Sequence, residues 1–360
     1  MSKPQFYSLR VKEVKAETND SVSVSFQIPA ELKQQFSYQS GQYITIKKNI
    51  DGEEVRRSYS LCSSPYETEF RVGIKKIPHG KFSTFAHDEL KSGDELEIMN
   101  PMGNFTLPEN AAGQHFVGIA AGSGITPILS LMKSVLHQDE TSTFTLVYGN
   151  QSFQTIMFRE EIEALKNTFL GRLQLIHVLS RERLESEVNY GRINGEKCTQ
   201  LFDKLIDLSK VSQFFICGPE EMILSVKEYL VSKGVNETAV RFELFNSSSS
   251  ASKKEAFQQA AMETAEQMSM VTIKVDDRSI EIPLAFGGES ILDAALKHGA
   301  DLPFACKGGV CCTCRAKVIE GTVTMEVNYA LEPDEVENGF VLTCQAHPTS
   351  EKVVIDFDAR

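Results

Sequence analysis

No stretch of this 360-residue sequence approaches the roughly 20 apolar residues a membrane-spanning helix needs. The opening segment, Met1–Val14, alternates polar and apolar residues. It therefore lacks the continuous apolar core of a secretory signal. Cations are outnumbered, 37 Lys and Arg against 49 Asp and Glu, for a net charge of −12. Phosphate backbones select clustered Lys and Arg, so nucleic acid is not the expected partner, and neither is a membrane. No internal repeat is visible. These absences point to a cytoplasmic protein, where thiols stay reduced and eight cysteines do not make a disulfide framework. Five of the eight fall between Cys306 and Cys344, which asks for a metal.

The composition, 41% hydrophobic and 24% charged, suits a soluble globular chain of two or three domains. The first hundred residues read as short β-strands: Tyr7–Val14, Val22–Ile28, Gln42–Ile46, Val55–Leu61, Phe70–Ile77 and Asp94–Ile98. Asn19-Asp20, Ser40-Gly41, Asp51-Gly52 and Ser92-Gly93 supply turns between them. Six strands at that spacing predict an antiparallel barrel. From Gly113 the pattern changes. Strands at His115–Ala120, Thr143–Tyr148, Leu173–Leu179, Gln213–Cys217 and Ala239–Leu244 alternate with helices at Thr126–His137, Met157–Asn167, Gly195–Leu208 and Pro219–Ser232. Alternation of this kind predicts a parallel sheet covered by helices on both faces. Asn246–Lys254 is a Ser-rich tether, and Glu255–Gln267 reads as a helix or as more tether. A third unit begins near Met270, with a hairpin (Val271–Val275, Ser279–Pro283), a helix (Ser290–His298), a Cys-rich loop and closing strands. The expected domains are thus 1–110, 111–245, a linker over 246–269, and 270–360.

Cys306, Cys311, Cys314 and Cys344 have the spacing C-x₄-C-x₂-C…C of plant-type [2Fe–2S] sites. Three thiolates on one loop reach one cluster, and a distant strand supplies the fourth. Gly308 and Gly309 let the loop backbone fold closely and aim N–H groups at sulfur. Zinc sites pair two C-x₂-C knuckles or add a His pair, and here His347 is the only His near the cysteines. Cys312 reads as a small buried side chain between two ligands, and Cys62 and Cys198 read as core.

Arg57-Ser58-Tyr59-Ser60 ends a barrel strand; an Arg neutralises a pyrophosphate and a Tyr stacks on a ring. Gly80-Lys81-Phe82-Ser83-Thr84 is a turn opening a helix, a natural phosphate site. Ala121-Gly122-Ser123-Gly124-Ile125-Thr126-Pro127 joins the first parallel strand to its helix, with Gly122 and Gly124 admitting a pyrophosphate. The third Gly of the usual dinucleotide fingerprint is missing, and Pro127 suits a first helical turn. Cys217-Gly218-Pro219 closes the fourth parallel strand, where ligands of such sheets sit. Ser180-Arg181 ends the third strand. An Arg there pairs with the 2′-phosphate of NADPH, so NADPH is favoured over NADH, although Glu182 and Arg183 blur the reading.

In this order the motifs resemble the ferredoxin–NADP⁺ reductase superfamily, in the branch that carries a C-terminal plant-type ferredoxin domain, along nearly the whole chain. The resemblance implies an FAD-binding β-barrel, an α/β NADP domain and a β-grasp ferredoxin domain. It implies that Arg57, Ser83 and Thr84 hold the FAD phosphates, that Tyr59 packs on the flavin and that Ser60 lies near its N5. Thr126 and Cys217-Gly218-Pro219 would position the nicotinamide. Glu243-Leu244-Phe245 matches the family's closing E-x-aromatic segment, which puts Phe245 beside the flavin. Leu90–Asp94 and Pro101–Phe105 also match the family's barrel end. More narrowly, Pro303–Val318 resembles the reductases that feed phenylacetyl-CoA epoxidase, a di-iron oxygenase. Reductases of steroid and ring-hydroxylating oxygenases share the layout, as do less specialised NADPH–ferredoxin-type reductases. A redox sensor would leave the nicotinamide motifs idle.

Overall fold

The computed structural model describes residues 5–184, 186–245, 267–276 and 278–359. The chain divides into two compact units, one of them Phe6–Phe245 and the other C-terminal to it. Within the first unit, β1 (Phe6–Thr18), β2 (Ser21–Gln27), β3 (Tyr43–Ile50), β4 (Glu53–Ser60), β5 (Phe70–Lys75) and β6 (Glu95–Met99) form an antiparallel sheet in the order β4-β3-β6-β1-β2-β5. The two edge strands meet at their ends. Leu61 bridges Val72, and Cys62 N donates to Arg71 O at 2.9 Å, which curls the sheet toward closure. Alternate residues such as Leu9, Val11, Val24, Ile44, Ile46 and Val72 fill the inside. Asp51 and Gly52 both have positive φ, the backbone a tight β3–β4 hairpin demands. Helix α1 (Lys81–Asp88) adds Phe82 and Ala86 to the same core.

Beyond the barrel come β7 (His115–Ala121), α2 (Ile125–Gln138), β8 (Thr143–Asn150), α3 (Arg159–Thr168), β9 (Leu173–Leu179), α4 (Gly195–Lys204), β10 (Gln213–Cys217), α5 (Glu220–Ser232) and β11 (Val240–Glu243). The strands are parallel and ordered β11-β10-β7-β8-β9. The strand order reverses between β7 and β10, and the loops after those two strands line the resulting crevice. Helix α4 stops four residues short of the expected Leu208. Leu205 N and Ile206 N both turn back to Leu201 O, and the Asp207 side chain captures Ser209 N. That local Asx turn competes with continued helix.

Barrel and parallel sheet belong to one unit because buried polar side chains tie them together. Ser64 Oγ and Ser134 Oγ lie 2.9 Å apart, and Ser130 Oγ donates to Ser63 O at 2.6 Å. Lys133, only 5% exposed, joins Glu67 at 3.0 Å and pairs closely with Glu161, which Arg71 Nη2 also holds at 2.7 Å. Charges removed from water this far persist only when paired. Burial alone would raise the Glu161 carboxyl, but the Lys133 and Arg71 charges hold it below its ordinary range.

The Ser-rich tether lies outside the described residues, as does nearly all of the ambiguous segment after it. The C-terminal unit begins at β12 (Met268–Val275), two residues before the expected start, and pairs antiparallel with β13 (Arg278–Ala285). Then follow α6 (Ile291–Lys297), β14 (Arg315–Glu320), β15 (Val323–Met325), α7 (Pro333–Glu337), β16 (Phe340–Leu342), β17 (Ala346–Pro348) and β18 (Lys352–Asp356). The main sheet runs β13-β12-β18-β14-β16, with β12 and β18 parallel. Ser290 caps α6 by accepting from Asp293 N, and Ile291, Leu292, Ala294 and Ala295 bury its inner face. Among the described residues no helix is long and apolar enough to cross a membrane.

Candidate flavin, nicotinamide and cluster sites

The end of β4 and the start of α1 form one patch. Arg57 is exposed, Ser58 and Tyr59 are half-buried and Ser60 is buried. The Tyr59 ring lies 5.6 Å from that of Phe82. Glu53 connects the cations: Lys81 pairs closely with it and Arg57 adds to its field, so its carboxyl sits below the ordinary range. Gly80 is the N-cap of α1, and no side chain caps the first turn. A Cβ on Gly80 would fall 2.4 Å from Ser83 Oγ and 2.5 Å from Ile77 Cγ1, so a larger residue would displace the side chains that shape the turn. Ser83 Oγ accepts from Ile77 N and donates to Gly80 O, both at 3.3 Å, which shapes the turn. Two cations beside an uncapped helix start suit a bound diphosphate.

At the crevice the two loops touch. A Cβ on Gly124 would fall 2.2 Å from Cys217 O, and one on Gly218 3.2 Å from Ala121 Cβ. Gly122 has φ +54, and Tyr148 donates to its carbonyl at 3.0 Å. Thr126 and Pro127 are buried under this loop. The Thr126 hydroxyl donates to Ser123 O at 3.1 Å, and its methyl lies 2.7 Å from where a Gly73 Cβ would stand on β5. Pro219 opens α5 as its N-cap.

The residue that joins barrel and crevice is Glu243, at the end of β11. Ser60 Oγ donates to Glu243 Oε2 at 3.0 Å across 183 residues of sequence. Cys217 stands opposite Glu243 in the parallel register. Burial raises the Glu243 carboxyl to about 7, even against the Ser60 hydrogen bond that lowers it. The Cys217 thiol is pushed well above its ordinary value by burial, with the Glu243 charge adding to it. Ser60 and Cys217 thus share a half-buried acid whose carboxyl is raised toward neutrality. Phe245, two residues on, packs partly buried against the core around α2. Ser180 and Arg181 stand apart, at the end of the edge strand β9. Their amides are fixed to Asn150 O and Gln151 O at 2.9 and 2.8 Å, while the Arg181 side chain is exposed.

In the C-terminal unit the four thiols of the C-x₄-C-x₂-C…C pattern converge. Cys311 Sγ lies 3.1 Å from Cys306 Sγ, and the Cys344 thiol is driven up chiefly by its Cys306 and Cys314 neighbours. Gly308 N donates to Cys306 Sγ at 3.3 Å. Cys306 is pulled far down, first by the Cys311 and Cys344 thiols and then by backbone N–H groups, while Cys311 and Cys344 are driven up. Four crowded sulfurs cannot all ionise without cations among them, which fits a group that supplies iron. Among the described residues no three His, Cys, Asp or Glu side chains are set around a single ion. Cys312 is buried, as are Cys62 and Cys198, whose thiols burial pushes up to about 12.

Three family models match in order: an oxidoreductase FAD-binding domain over 8–107, an oxidoreductase NAD-binding domain over 119–228, and a 2Fe–2S iron–sulfur cluster binding domain over 273–349. The chain is 43% identical to one of the subunits of the 1,2-phenylacetyl-CoA epoxidase of Escherichia coli K12, over 99% of this chain and 98% of that protein. The chain belongs to the ferredoxin–NADP⁺ reductase superfamily, in the branch with a C-terminal [2Fe–2S] domain. Another relative in this branch, the ferredoxin reductase component of 3-ketosteroid-9-alpha-monooxygenase from Rhodococcus rhodochrous, is 31% identical over 97% of this chain and 96% of its own length. Phthalate dioxygenase reductase shares the fold at TM-score 0.59 and 20% identity, covering 98% of both chains. As a member of this superfamily the chain is a flavin–iron–sulfur oxidoreductase that uses FAD, a pyridine nucleotide and a 2Fe–2S cluster. The expectation from the motifs missed Glu243 as the partner of Ser60, because no local pattern reveals a contact between two distant strand ends.

Proposed function

We propose that the chain draws reducing equivalents from NADPH and passes single electrons to a di-iron oxygenase of the phenylacetyl-CoA epoxidase type. The observation that carries the partner is the 43% identity to the epoxidase protein across all three modules, with none missing. When bound, FAD accepts a hydride and the cluster stores one electron at a time. The chain's own residues do the rest. Arg57 and Lys81, with the first turn of α1, hold the diphosphate of FAD, and Tyr59 packs on its ring. Ser60 and Glu243 form a hydrogen-bonded pair at the flavin edge, and Glu243 holds or releases a proton there near neutral pH. Cys217, Gly218 and Pro219 with Thr126 orient the nicotinamide, Gly122 and Gly124 admit its pyrophosphate, and Phe245 covers the flavin face. Cys306, Cys311, Cys314 and Cys344 hold the cluster. NADPH is preferred because Arg181 presents an exposed guanidinium at the strand end, while Glu182 is occupied with Phe153 N at 2.8 Å and Arg183 pairs with Glu187 at 3.4 Å. Reconstitution tests the reading. With NADPH, the purified chain should support turnover of the oxygenase component of a phenylacetyl-CoA epoxidase. Turnover only with a steroid or ring-hydroxylating oxygenase would move it to another branch.

A further inference from the structure

Next to the fourth cysteine stands Gln345, a fully buried amide between β16 and β17. Its Nε2 faces three acceptors: Cys344 O at 2.8 Å, Lys307 O at 3.1 Å and Cys344 Sγ at 3.6 Å. An amide nitrogen has two protons, so at least one of these bonds is shared. The Lys307 contact is the informative one. Lys307 has φ +50, a left-handed conformation that a non-glycine residue holds only when its surroundings impose it. Its carbonyl belongs to the same trans peptide as Gly308 N–H. In a trans peptide the C=O and N–H point in opposite directions. When Gln345 takes the carbonyl on one side, the N–H is aimed out on the other, at Cys306 Sγ, 3.3 Å away. The next residue closes the fit. A Cβ on Gly309 would fall 3.3 Å from Gln345 Cγ and 2.9 Å from Val327 Cγ2, so the loop lies directly against this side chain.

We propose that Gln345 is a positioning residue for the cluster, orienting the Lys307–Gly308 peptide so that its N–H donates to the Cys306 sulfur while its own amide faces Cys344 Sγ. This rests on the assignment of the four cysteines as cluster ligands. Donors to ligand sulfur stabilise the more negative, reduced cluster, so they raise its potential. Removing Gln345 loosens one such bond and deletes the approach to a second sulfur. Gln345→Met keeps the length of the side chain without a donor, and it also removes Oε1, which is buried with no partner. The test is an EPR-monitored redox titration of full-length native and Gln345→Met proteins, with iron and sulfide counted in both.

The expected result is a full cluster in the variant, shifted g-values, and a reduction equilibrium about tenfold less favourable, close to 59 mV lower for one electron. NADPH oxidation with ferricyanide should not change. A folded Gln345→Met chain that sheds its cluster on purification also supports the positioning role. Should that variant not fold, Gln345→Asn, one methylene too short to reach Lys307 O, carries the same expectation. An unchanged potential and EPR spectrum in a fully loaded variant overturns the proposal. A native chain without iron or sulfide overturns the ligand assignment instead.

Discussion

The two units build their sites in opposite ways. In the C-terminal unit three of the four converging thiols come from the nine residues Cys306–Cys314, and the fourth follows thirty residues later. The local chain shapes that site through two glycines, one left-handed lysine and a buried glutamine. In Phe6–Phe245 almost nothing is local. Ser60 ends a barrel strand, Cys217 ends a strand of the parallel sheet, and Glu243 reaches both from the last strand. Such a site exists only when barrel and sheet are joined, which the buried Ser134 and Lys133 and the half-buried Glu161 and Arg71 achieve. A local site tolerates separation from the rest of the chain, whereas an assembled one is lost with any partner element.

The largest effect should come from the local site. Cys311→Ser removes one cluster ligand, so the visible iron–sulfur absorption should vanish while FAD stays bound. Ferricyanide reduction by NADPH should continue, because it needs only the first unit, and reduction of the oxygenase should stop. A variant that keeps a full cluster would break the contrast at its clearer end.

The assembled site should show itself through pH. The Glu243 carboxyl is raised to about 7 in the folded chain, against roughly 4.3 when unfolded. Folding therefore favours its protonated form. That contribution is complete below the unfolded value and is lost as pH rises through about 7, on the order of 3 kcal/mol. Glu243→Gln stays neutral, so it should melt higher than the native chain above about pH 7 and converge with it near pH 4. Parallel melting curves at every pH would show that Glu243 ionises freely and is not held in a pair with Ser60.

Arg181 probes the edge of the first unit, where no assembled contact is needed. Arg181→Ala should raise KM for NADPH about ten- to a hundredfold and leave NADH nearly unchanged, as loss of one charge-assisted contact implies. Equal losses for both coenzymes would remove Arg181 from the 2′-phosphate.

The same contrast explains what was legible in the sequence. Cysteine spacing alone pointed to the cluster, because a ligand loop is contiguous. Strand and helix order gave the barrel and the parallel sheet, because periodicity is local too: Leu173–Leu179 and Gln213–Cys217 match residue for residue. Helix α4 ended early because the side chain of Asp207 competed for the backbone, which a hydrophobic pattern does not register. Glu243 could be noticed as part of an E-x-aromatic segment, yet its bond to Ser60 depends on two strand ends meeting in space. Gln345 carried no signal at all, since a buried amide beside a cysteine looks like any polar residue until the Lys307 carbonyl is seen facing it.

The central claim is that electrons cross from the assembled site to the local one and leave from there. An anaerobic experiment tests it directly: full-length chain is mixed with NADPH, the cluster is followed by EPR, and oxidised epoxidase oxygenase is then added. The account predicts a reduced-cluster signal that appears with NADPH and discharges on addition of the oxygenase. A flavin that bleaches while the cluster stays oxidised, or a reduced cluster that the oxygenase cannot discharge, would contradict it.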